Sequence, residues 1–109
     1  MPTEFHGGFI FRSQGYGILS STYFNHIQKK PYPETAILIS GKDADDPYLG
    51  RFKTCWWEEN GKPKDAVVEI KLNAAGTYDL VWTYKGGIIW NGLGIIEGKN
   101  LVGCYWPEP

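Results

Sequence analysis

Apolar and polar residues alternate along most of the second half of the chain. AVVEIKL sets Val68, Ile70 and Leu72 against Glu69 and Lys71, and YDLVWTY sets Tyr78, Leu80, Trp82 and Tyr84 against Asp79, Val81 and Thr83. A period of two marks strands with one buried face, so both larger sets are expected to point inward. RFKTCWWEE places Phe52, Thr54 and Trp56 opposite Arg51, Lys53 and Cys55, and its parity carries Glu58 inward at the strand's end. IIWNGLGII and LVGCYW complete five strands. The stretches NGKPKD, NAAGT, KGG and EGKN separate them, and Pro63 is expected to lie outside any central strand. Loops this short join sequential antiparallel neighbours.

IIWNGLGII resists a choice of face. Ile89, Asn91, Leu93 and Ile95 oppose Trp90, Gly92, Gly94 and Ile96, and either set can be buried. Facing in, Gly92 and Gly94 leave room opposite rings such as Trp82 and Tyr84, and could hollow out a cavity. Facing out, they mark bends or the approach of another subunit's backbone.

In the first half, GGFIFRS and ETAILIS read as strands, and GKDADDPYLG reads as a polar loop. YGILSSTYFNHIQKK is divided: Leu19, Tyr23 and Ile27 fit a helix, whereas Thr22, Tyr23 and Phe24 favour a strand, which is preferred. Seven or eight strands follow in sequence order. An up-and-down sheet this long closes on itself and loses its exposed edges. The expected fold is all-β, a single domain forming an up-and-down antiparallel barrel of about eight strands, with a β-sandwich as the alternative. About eight strands leave an interior that is filled by side chains or holds one small ligand.

A pattern within this meander resembles known barrels. Y-x-L-x-W at Tyr78 to Trp82, a glycine turn, G-x-G at Gly92 to Gly94 and G-x-x-L-V at Gly98 to Val102 are similar to the terminal hairpins of small lipocalin-like and avidin-like barrels. The resemblance covers residues 76 to 106 and implies a calycin-like barrel. FHGGFIF lacks the Trp of the lipocalin G-x-W, and no polar set stands at the spacing with which avidins hold biotin. It therefore implies a container and leaves the ligand open.

The 109 residues suffice for one core, and a net charge of -1 offers no basic surface to nucleic acid or anionic lipid. No apolar run is long enough to span a membrane, and MPTEFHGGFIF lacks the basic and apolar regions of a signal peptide. A complete chain of this kind is expected in the cytoplasm, with Cys55 and Cys104 as reduced thiols; a secreted chain trimmed of its signal could bridge them. Aromatic residues make up 16% of the chain, and this surplus, with the small net charge, predicts self-association, a homodimer first.

Three functional readings follow. In the first, Trp82, Tyr84 and Tyr78, with Trp56 and Leu80, line an interior pocket for a small apolar or aromatic molecule; the competing reading is a filled aromatic core. In the second, outward Trp57 and also Trp106 stack on a sugar, although a subunit interface is preferred for the exposed Trp57 ring. In the third, a cofactor-free isomerase or cyclase uses Glu58 or His26 as its acid or base. Asp43, Asp45 and Asp46 offer alternating oxygens but lack the glycine and distal glutamate of an EF-hand, so a solvated loop is expected. Two Cys and two His without zinc spacing, and a Gly92-x-Gly94 inside a strand, predict no metal and no cofactor.

Overall fold

The structure, a computed structural model, describes residues 5–41, 45–58 and 61–109. Its strands are β1 (Gly7–Gly15), β2 (Ile18–Asn25), β3 (Tyr32–Ser40), β4 (Gly50–Trp57), β5 (Pro63–Leu72), β6 (Tyr78–Tyr84), β7 (Gly87–Glu97) and β8 (Asn100–Pro107). Each pairs antiparallel with the next, and β1 pairs with β8, Gly7 opposite Tyr105 and Phe11 opposite Leu101. That last ladder closes the barrel and excludes the sandwich. The divided segment resolves as β2, whose side chains alternate between the core and the outer surface. Pro63 opens β5, where no ladder donor is needed.

Period-two alternation selects the core. Phe9 and Phe11, Leu19, Phe52, Val68 and Ile70, Leu80 and Leu101 fill the interior. Thr54 and Trp56, Tyr78 and Trp82 face in beside them, as their parity predicts. The parity fails at two strand ends. Leu72 and Tyr84, both expected inside, are 53% and 38% exposed. Each is the last residue of its strand, beyond the ring of neighbours that would cover it. At Tyr84 the register against β7 also shifts after Trp82, leaving Gly87 opposite the ring. Tyr84 lies instead beside the Lys64 and Lys85 ammoniums, 4.9 and 5.3 Å from its centroid.

Gly92 and Gly94 face inward. They do not hollow the barrel, because large side chains occupy the space: a Cβ at Gly92 would lie 2.9 Å from the Trp82 ring and one at Gly94 3.0 Å from Leu101. One barrel end is stoppered by Tyr48, from the loop between β3 and β4. Its hydroxyl donates to the Lys99 carbonyl at 2.6 Å and accepts from the Ser13 amide at 3.1 Å. Asp46 holds this loop, accepting from the Tyr48 amide at 3.0 Å and the Tyr78 hydroxyl at 2.5 Å.

Candidate functional site

The opposite end is open. There a cavity of about 250 Å³ descends between the starts of the odd-numbered strands and the ends of the even-numbered ones. Phe5, Tyr23, Trp56, Trp82, Trp90 and Tyr105 wall it with rings. Tyr105 is the hub: its centroid lies 5.3 Å from both Phe5 and Trp90 and 6.3 Å from Trp82, all at steep angles. Edge-to-face contacts of this kind lock ring orientation. Asn25 fixes the mouth. Its side-chain oxygen accepts from the Ile27 and Gln28 amides, while its amide nitrogen donates to the Tyr105 hydroxyl at 3.1 Å.

A carboxyl stands at the floor. Glu34 lies on β3 between Ser21 of β2 and Trp56 of β4, and is only 4% exposed. Its Oε2 accepts from the Thr54 hydroxyl at 2.5 Å and the Trp82 indole at 3.0 Å. Its Oε1 has no hydrogen-bond partner, and no cation pairs with Glu34, among the described residues. Burial raises the Glu34 pKa, and the two donors only partly offset that. The Tyr23 and Tyr105 hydroxyls are pushed up too, first by burial and further by the nearby Glu34 charge. Opposite Glu34, the buried Ser21 hydroxyl is also without a partner among the described residues.

The residues expected at a site divide. Trp56 and Trp82 line the cavity, whereas Tyr78 and Leu80 are buried but outside its wall and Tyr84 stands on the outer rim. Glu58 is at the mouth, 3.7 Å from the Lys64 ammonium. His26 is elsewhere, on an outer groove, where its Nδ1 accepts from the His6 amide at 3.0 Å. The two acid–base candidates are therefore not brought together. Trp57 is 51% exposed, and Trp106 is exposed on β8, half a barrel from β4. Cys55 and Cys104 are free and exposed on those same two strands. Asp43 lies outside the described residues; among these no cluster of three or more His, Cys, Asp or Glu could hold a metal.

Glu34 is the residue that sequence reasoning missed. On β3 the competing face holds Thr35, Ile37 and Ile39, so hydrophobicity alone would never bury the face with the glutamate. One signal was present in Thr54, inward by parity on β4: a buried hydroxyl needs a polar partner on a neighbouring strand. Tyr105 and Trp90 sit in strands rich in aromatic and apolar residues on both faces, which hides them.

No known protein family, no curated protein and no solved structure matches the chain.

Proposed function

We propose that this protein is a binding barrel that holds one small, largely apolar or aromatic molecule in its open end. The observation that carries this reading is the ring-walled cavity with a buried carboxyl at its floor. Its size sets the scale of the ligand. A cavity of roughly 150 Å³ takes benzene, and drug-sized ligands need roughly 300 Å³ or more, so one or two rings fit here. Kinship with calycin-like barrels, suggested by residues 76 to 106, belongs to the same proposal. An environment-sensitive apolar dye tests it: saturable one-to-one binding is expected, weakened at least about tenfold in Trp82→Leu, which removes a wall. A cooperatively folded protein that binds no dye would overturn it.

Self-association is proposed through the outer face of β7, β8, β1 and β2. Ile95, Val102 and Ile10 form one row across it, and Leu93, Cys104, Gly8 and Phe24 form the next. Leu93, Ile95 and Phe24 are exposed there, an apolar patch suited to a second copy. Exposed Trp57 favours sugar stacking as a second reading, but Trp106 stands too far around the barrel to share that platform.

A further inference from the structure

We propose that the ligand is a small organic cation, an aryl- or alkylammonium, whose nitrogen meets the free oxygen of Glu34 while its apolar part lies against the surrounding rings. The inference rests on the binding reading above and specifies the chemistry of that same site.

Four observations converge on a cation. First, the Glu34 carboxyl stands buried at the cavity floor and has no cationic partner among the described residues. Removing a lone carboxylate from water is costly unless an opposite charge joins it. Second, both of its donors converge on Oε2. A carboxylate is an acceptor only, so this arrangement holds the group in place and leaves Oε1 to receive a donor from the ligand. Third, the walls are tryptophan and tyrosine rings, whose negative faces attract cations, tryptophan most strongly. Fourth, the mouth offers an anion little: the Lys64 ammonium is drawn to Glu58 and to the Tyr84 ring, and an anion beside Glu34 would meet no opposite charge at the floor. A neutral ligand could bond to the protonated acid but would draw no cation attraction from the rings.

The proton balance is simple. In the empty site burial favours protonated Glu34. An ammonium beside Oε1 favours the ionised form, so wherever the empty site holds a proton, binding gives it to solvent and the ion pair forms without any covalent change. Binding and proton release are therefore coupled.

Three matched probes separate the possibilities by calorimetry: phenethylammonium, its neutral isostere propylbenzene and anionic phenylpropionate. The expected order is phenethylammonium tightest, by about tenfold or more over propylbenzene, with no binding of phenylpropionate. Glu34→Gln, which keeps an acceptor for Thr54 and Trp82, should weaken phenethylammonium roughly thirtyfold or more and leave propylbenzene unchanged. Propylbenzene binding as tightly as phenethylammonium would overturn the cation inference and leave the pocket standing. Failure of all three to bind would overturn the pocket as well.

A second measurement follows the pH dependence of the wild type. Phenethylammonium stays charged from acid to neutral pH, so its affinity should fall on acidification as Glu34 takes up a proton, and binding should release protons to buffer. The other titratable groups around Glu34 are Tyr23, Tyr32, Tyr105, Glu58 and Lys64. Tyr23 and Tyr105 are held neutral by burial, and Glu58→Gln controls for the rim carboxylate by leaving the acid limb in place. A flat profile without proton release would overturn the inference.

Discussion

Glu34 shapes the energetics of the site before any ligand arrives. Its folded pKa is raised, chiefly by burial, so between the ordinary glutamate value of about 4.3 and that raised value the folded chain keeps a proton that the unfolded chain has lost. Stability from this group is therefore fully present below that range and declines as pH rises through the raised folded value. Glu34→Gln abolishes that decline. Urea denaturation across a pH series should show the variant gaining on the wild type from acid toward neutral pH. A difference that does not change with pH would show that Glu34 titrates alike in both states. Tyr84 teaches the opposite lesson at the same scale. Its parity matches Trp82, yet one register shift and a glycine opposite leave it outside with two lysines.

At the scale of the strand, legibility depended on contrast between faces. β5 and β6 set an apolar face against one carrying Glu69, Lys71, Asp79 and Thr83, and Val68, Ile70, Leu80 and Trp82 went where that contrast sent them. β3 has no such contrast. It exposes Ile37 and Ile39 and buries Glu34, because its inner face must pair with Ser21 and Trp56 across the neighbouring ladders. Only the closed register decides that, and no local pattern encodes it. Gly92 and Gly94 of β7 were legible as spaces but not as to what fills them. Gly103 is the tightest: a Cβ there would collide with the Leu93 carbonyl and lie 2.8 Å from the Phe9 ring. Gly103→Ala should cost about 3 kcal/mol, at the upper end for overpacking, because backbone rather than a flexible side chain must yield. Gly76→Ala has open space around it, and its cost comes only from a φ of 87°. Thermal denaturation of both checks the order: the account predicts a larger loss at Gly103, and equal losses would contradict it.

For the whole molecule, the barrel's two ends do different jobs. Tyr48 and its loop stopper one, and the other keeps a cavity between rings that hold each other in place. The closed barrel was readable from strand count and loop length, whereas the end left open was not, because that depends on how far Tyr48 reaches into the barrel. The outer face through β7, β8, β1 and β2 predicts assembly. Ile95→Lys should shift the protein to monomer in sedimentation experiments and leave its melting transition cooperative. A wild type that is already monomeric at high concentration would remove that part of the account. The central claim is that the ligand goes inside, and amide and indole chemical shifts recorded during an indole titration test it most directly. The account predicts saturable shifts at the Trp82 indole N–H and at Glu34, Trp56 and Tyr105, with Trp57 and Trp106 unmoved. Shifts confined to Trp57, or none at all, would contradict it.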